Sequence, residues 1–355
     1  MYQKQVDKAE TTKMDTGAAG KKTVNDAKIE QKQISSAEGY AMAMNDPRNV
    51  KNNLPSIQNN QVTSGSVTKV TEAGNQQQTI SGDNNSNEAQ KLREQTRTYI
   101  LSLKDKGLSE STVNTYLARL DSLSDEQILK NAEKFKFSEM NQRNNLTNVD
   151  DVSLGYKTGN VMCFPTSVAI ALSNLGIANP VAALGMQYED FLDDLIRNDK
   201  ELMKIASENP GYKPRTQIKV ETEMINKYFG DVVKAKMIVH DTVKNPPYKN
   251  ETQAKDYFDS LNEDYLSKEV QVVMGTKLTH GGHVVVYSGY DEEGIYIIDP
   301  YGKASLIKNT KGSSGYDKNS YDINATTKGY NVYVPWSKVN EFLIGYRWNL
   351  ILELK

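Results

Sequence analysis

The chain has 355 residues, and 43 Lys and Arg face 45 Asp and Glu for a formal net charge of −2. That balance gives no electrostatic case for a nucleic-acid partner, and at about 150 residues per domain the length allows two or three domains. One cysteine, Cys163, excludes an internal disulfide, while the absence of a long apolar run, both overall and after Met1, argues against a membrane span and a standard signal peptide.

Residues 1–88 contain one leucine, Leu54, no Phe and no Trp, and are rich in Gln, Asn, Ser, Thr, Gly and Lys. Such a segment buries too little apolar area to offset its ordering entropy, so it is expected to be disordered or extended unless a partner orders it. Residues 89–136 read as a small helical module. Ser109 is placed to cap a helix over 110–121, with Leu108 and Val113 as a staple and Val113, Tyr116, Leu117 and Leu120 as an apolar stripe. Ser124-Asp-Glu-Gln127 is a capping box flanked by Leu123 and Ile128.

Cys163 stands in Met162-Cys163-Phe164-Pro165-Thr166-Ser167, just before an apolar run reaching Leu175. Pro165 suits a first helical turn, and Val168, Leu172 and Leu175 at i, i+4 and i+7 predict one buried helix face with the helix start at a surface or cleft. A thiol at such a start meets unpaired N–H groups and the positive end of the helix dipole, which favour thiolate over thiol. A lone cysteine is more often a small buried hydrophobe, so the reading depends on finding it a partner.

Helical spacing recurs over Tyr188–Ile196, Glu221–Phe229 and Ala254–Leu266, with short strands expected at Met237–Val239 and Val270–Met274. Then His283-Val-Val-Val-Tyr-Ser-Gly-Tyr290 and Ile295-Tyr-Ile-Ile-Asp299, separated by the acidic turn Asp291-Glu-Glu-Gly294, read as an antiparallel hairpin. His283 opens its first strand and Asp299 closes its second, so the two share one end of the hairpin. A carboxylate there can fix the imidazole tautomer and leave the other nitrogen for the thiol proton. His280, in the loop before Gly281-Gly282, is the rival base, and His240 is the third histidine. There is no phosphate-binding glycine loop, dinucleotide fingerprint or zinc-ligand spacing, so neither cofactor nor metal is expected.

The order Cys, His, Asp, carried by Cys163-Phe-Pro-Thr-Ser-Val-Ala-Ile-Ala-Leu-Ser-Asn-Leu-Gly176, Gly282-His-Val-Val-Val-Tyr-Ser-Gly-Tyr-Asp291 and Asp299-Pro-Tyr-Gly302, resembles the papain-like cysteine peptidases. More narrowly it is similar to the double-glycine leader peptidase-like group, with its phage and bacterial envelope members. Gln142-Arg-Asn-Asn145 and Gln187-Tyr-Glu-Asp190 add to the resemblance, which covers roughly residues 138–350. One departure is Phe164, where many relatives carry a small residue after the nucleophile. The resemblance implies an oxyanion-hole amide upstream of the cysteine, for which Gln142 and Asn160 are the candidates. It also implies an α+β papain-like fold over 137–355, a helical half carrying the nucleophile and an antiparallel sheet carrying the base, preceded by the helical module and the N-terminal segment.

The expected activity is thiol-dependent hydrolysis of an amide bond by Cys163, His283 and Asp299. The resemblance implies peptidoglycan peptides as the leading substrate, with a protein-processing peptidase as one alternative. A structural or adaptor virion protein that keeps a papain-like binding module is the other, and there residues 1–88 would serve assembly into a virion or envelope. The chain is expected to be made in the cytoplasm, with packaging in a virion or release to the envelope left open.

Overall fold

A computed structural model describes residues 81–142, 161–239, 248–266, 269–276, 278, 282–301, 329, 332–337, 339 and 348–355. Residues 1–80, Asn160, His240 and His280 lie outside the described residues. Helix α1, Ser81–Asp105, corrects the expectation of disorder through residue 88, since Ser81 to Glu88 are already helical. Ala89, Leu92, Tyr99, Ile100 and Leu103 form its buried stripe. Once packing has fixed that stripe, each added N-terminal residue gains a backbone hydrogen bond at little further cost, so the polar turns extend the helix.

Helices α2, Glu110–Ser122, and α3, Asp125–Lys134, start where their caps require. Ser109 accepts from the Thr112 N–H at 3.2 Å, and Ser124 and Gln127 make the reciprocal capping box. The three helices bury their apolar faces on one another and on the chain that follows. The rings of Tyr99 and Tyr116 meet Phe191, and the Tyr116 hydroxyl donates to Asp194 at 2.9 Å. The Asn131 amide donates to the Ala183 carbonyl at 3.2 Å, and the Asn179 N–H to the Lys136 carbonyl at 2.8 Å.

Helix α4, Cys163–Asn174, is buried from Phe164 through Ser173. The sequence pattern predicts a single buried face; the structure buries all of them, because β2 and β3 cover one side and α5 another. Two of the polar side chains that enter this environment are hydrogen-bonded. The Ser173 hydroxyl donates to Ala169 O and accepts from Ser138 N–H, and the Ser167 hydroxyl donates to Val284 O at 3.0 Å. Helices α5, Tyr188–Asn198, α6, Lys200–Ser207, and α7, Ile218–Tyr228, complete the helical half.

Among the described residues six strands form one antiparallel sheet in the order β1-β6-β2-β3-β4-β5. They are β1, Val233–Val239; β2, Val270–Thr276; β3, His283–Tyr290; β4, Gly294–Ile298; β5, Val332–Pro335; and β6, Trp348–Leu354. Helix α8, Glu251–Leu261, precedes β2, and its Phe258 packs with Val272, Met274, Val285, Tyr287, Ile297 and Trp336 on one face of the sheet. The alternate residues Val273, Val284, Val286, Leu350 and Leu352 point to the other face, where α4 and the helical half lie. This is the α+β arrangement expected from sequence. Among the described residues no helix is long and apolar enough to cross a membrane.

Candidate active site

Cys163 is the first residue of α4 and is half-buried. Met162 before it makes no side-chain cap to the helix, so the first turn keeps N–H groups without a side-chain acceptor at the thiol. The hydrogen bond from the Ser167 hydroxyl to Val284 O ties the same helix to the strand residue after His283. His283 opens β3 and is 4 % exposed. Its carbonyl accepts from the Thr276 hydroxyl at 2.9 Å, which fixes the strand start against β2.

Asp299 follows β4 and is fully buried. One carboxylate oxygen, Oδ1, lies 2.6 Å from His283 Nε2 and also accepts the Tyr301 N–H at 2.8 Å. The Asp299 N–H donates to Gly329 O at 2.8 Å. A Cβ at Gly329 would come within 1.6 Å of the Asp299 carbonyl oxygen, so only glycine permits this approach. The Tyr301 ring meets the imidazole edge-on at 5.9 Å and walls one side.

With Nε2 on Asp299, Nδ1 is the ring nitrogen not engaged by the carboxylate. Burial alone would lower the imidazole's proton affinity. The Asp299 charge and hydrogen bond, aided by the influence of Cys163, outweigh it and push His283 up to about 10. The imidazole therefore holds its proton at neutral pH, against a carboxylate. The arrangement can deliver a proton from Nδ1 and take it back while Asp299 keeps the ring in one orientation.

A family model described as the Peptidase_C39 like family matches residues 136–328, more than half of the chain, and spans Cys163, His283 and Asp299. The chain belongs to the Peptidase_C39 like family. That membership supports a peptidase. Comparison with curated proteins and with solved structures gives no match.

Gln142 lies inside the Peptidase_C39 like match and is 1 % exposed. Its backbone N–H donates to Pro300 O at 2.8 Å, one residue from Asp299. The structure thus sets this oxyanion candidate beside the carboxylate arm of the site. Asn160, the other candidate, and His280, the rival base, fall outside the described residues. Among the described residues no three or more His, Cys, Asp or Glu side chains are grouped to hold a metal.

Strand β6 lies outside the Peptidase_C39 like match, yet its first residue reaches the nucleophile's neighbour. Trp348 stacks on Phe164 at 4.6 Å and lies over Gly275, whose Cβ would stand 2.3 Å from the indole. Trp348 is partly exposed beside the thiol's helix, so it walls the site. Sequence reading found no role for Gly275 or Gly329, because each glycine is required by a contact from a distant part of the chain.

Proposed function

We propose that the chain is a thiol peptidase in which Cys163 attacks the carbonyl carbon of an amide. His283 holds the proton, delivers it to the leaving amine and then serves as base for the water that resolves the thioester. Asp299 orients the imidazole through Nε2, and Gln142 assists the oxyanion together with a backbone N–H at the start of α4. The observation that carries this reading is the buried 2.6 Å contact between Asp299 and His283, in a chain whose lone thiol stands half-buried at a helix N-terminus.

Peptidoglycan peptides are the proposed substrate, on the resemblance of the cysteine, histidine and aspartate blocks to phage and envelope peptidases. The test is to incubate the protein and Cys163→Ala with purified cell walls and, separately, with denatured protein, and to identify new amine termini by mass spectrometry. New termini from walls with the wild-type chain alone support the peptidoglycan reading. Termini from denatured protein alone move the assignment to a protein-processing peptidase. No termini from either substrate would overturn the hydrolase and leave the adaptor role.

A further inference from the structure

Among the described residues, two side chains of α4 are hydrogen-bonded to the sheet. The Ser167 hydroxyl donates to Val284 O at 3.0 Å, and the Asn174 amide donates to the Gln271 side-chain oxygen at 2.9 Å. At about 100° per residue, Ser167 and Asn174 lie within about 40° of Cys163 around the helix, so the side that meets the sheet is also the side of the thiol. Val284 stands opposite Gly275 in β2, and Gln271 comes four residues earlier on that strand. The two ties are thus about 13 Å apart along β2 and about 10 Å apart along the helix. Helix α4 therefore runs beside β2 and points its first turn at the strand end where His283 pairs with Thr276.

Val284 is the residue after His283. Pairing of β3 with β4 starts only at Val286, so the His283–Val284 segment extends past it. Each of its two carbonyls accepts from a side-chain hydroxyl, His283 O from Thr276 at 2.9 Å and Val284 O from Ser167. Thr276 belongs to the sheet itself, whereas Ser167 comes from the helix that carries the nucleophile, one turn beyond Cys163. Ser167 is fully buried, so no water competes for the bond.

We propose that Ser167 is a positioning residue whose hydroxyl sets the Cys163 thiol against the His283 imidazole, by fixing the nucleophile's helix to the backbone beside the base. The proposal deepens the peptidase reading and rests on it for the pairing of the two groups. The thiol and the imidazole are carried by separate elements, and an offset of about 1 Å between reacting groups can cost on the order of a hundredfold in rate.

Cys163 is the only cysteine, so iodoacetamide reports on one thiol and needs no known substrate. Alkylation rates are measured at about pH 6 and about pH 9.5 in the full chain, in Ser167→Ala, Ser173→Ala and His283→Ala, and in the Ser167→Ala/His283→Ala double variant, with thermal melts alongside. Alanine fits where serine fits and favours a helix, so Ser167→Ala is expected to fold. Ser173 is the matched control, a buried serine on the same helix whose hydroxyl bonds Ala169 O and the Ser138 N–H. Ser167→Ala should lower the rate at about pH 6 by roughly threefold or more and keep it within about twofold at about pH 9.5, where an ordinary thiol is ionised without help. Ser173→Ala should keep both rates within about twofold, whatever its melting temperature. Without His283, Ser167→Ala should change the rate at about pH 6 by less than about 1.5-fold, since the two substitutions then act on one interaction. An unchanged rate at about pH 6 in Ser167→Ala, an equal loss in Ser173→Ala, or a loss that persists without His283 overturns the proposal and leaves the peptidase reading standing. A rate at about pH 6 that is unchanged in His283→Ala alone defeats the thiol–imidazole pairing, and the role of Ser167 falls with it.

Discussion

Phe164 and Trp348 stack with an interplanar angle of 27°, which joins the residue after the nucleophile to the first residue of β6. The bulky residue at a position where relatives carry a small one is thereby accounted for. Phe164 is turned into the protein and fully buried, and the indole that covers it is accommodated by Gly275 on the neighbouring strand.

Gly275→Ala places a methyl group within the indole's volume and should destabilise the protein by about 1–3 kcal/mol, the usual cost of overpacking. Urea denaturation measures it. Trp348→Leu in the same background relieves the clash and should recover part of the loss, whereas additive losses would show that the two residues do not compete for space.

The charge on His283 gives a pH signature in stability. Its folded value near 10 lies above the unfolded value near 6.5, so the stability it contributes is fully present below about pH 6.5 and is lost as the pH rises through about 10. Urea midpoints from pH 6 to pH 10 should fall more steeply for the wild type than for His283→Gln. His283→Ala should also slow iodoacetamide alkylation of Cys163 at about pH 6, and parallel alkylation curves would disprove the pairing.

Glu189 titrates in a different window. Burial above all, with help from the Asp190 and Glu139 charges, pushes it up to about 8 against its own backbone hydrogen bond. The folded state therefore holds a proton that the unfolded state gives up above about pH 4.5, and stability should drop across the interval from there to about pH 8. Glu189→Gln should flatten that part of the profile and be more stable than the wild type at about pH 9. A wild-type profile that is flat over this interval in chemical denaturation would contradict the assignment.

Gln142 separates transition-state stabilisation from thiol activation. If its amide assists the oxyanion, Gln142→Ala should reduce turnover of whichever peptide is cleaved by about a hundredfold, the typical loss of one donor. Alkylation of Cys163, which forms no oxyanion, should remain within about twofold of wild type. An equal fall in both rates would assign Gln142 a purely structural task.

Removing the three leading helices should harm the rest of the fold. A chain beginning at residue 137 would expose Phe191, which is fully buried against Tyr99 and Tyr116, at a cost on the order of 2 kcal/mol for that ring alone. It would also take from the Asn179 amide its acceptor at the Phe135 carbonyl. A chain beginning at residue 81 should melt several degrees higher than the shorter one, and equal melting temperatures would mark α1 to α3 as a dispensable appendage.

The site was legible in the sequence where local chemistry names it. A lone thiol before a helical run, and a hairpin with histidine and aspartate at one end, are patterns within a few residues; the thiol does open a helix, and the hairpin does bring His283 to Asp299. Caps at Ser109 and Ser124 were equally local and were found at those residues. What escaped was set by distant packing. Helix α1 begins earlier than its polar composition suggests because its later turns are anchored. The all-round burial of α4 depends on a sheet that follows it by about a hundred residues. Strands β5 and β6, the two required glycines and the buried Arg215–Asp193 ion pair have no signature in their own neighbourhoods.

The position of β6 also bears on the order in which the protein acquires its structure. This strand separates β1 from β2 and bonds to both, and its pairing with β1 joins residues more than a hundred positions apart, as in Val239 with Trp348. The meander from β2 to β4 closes through short turns and can form early, whereas β1 has no place in the sheet until β6 arrives between them. Stacking of Trp348 on Phe164 belongs to that late step. The wall beside the thiol therefore depends on a strand whose pairing spans more than a hundred residues of chain.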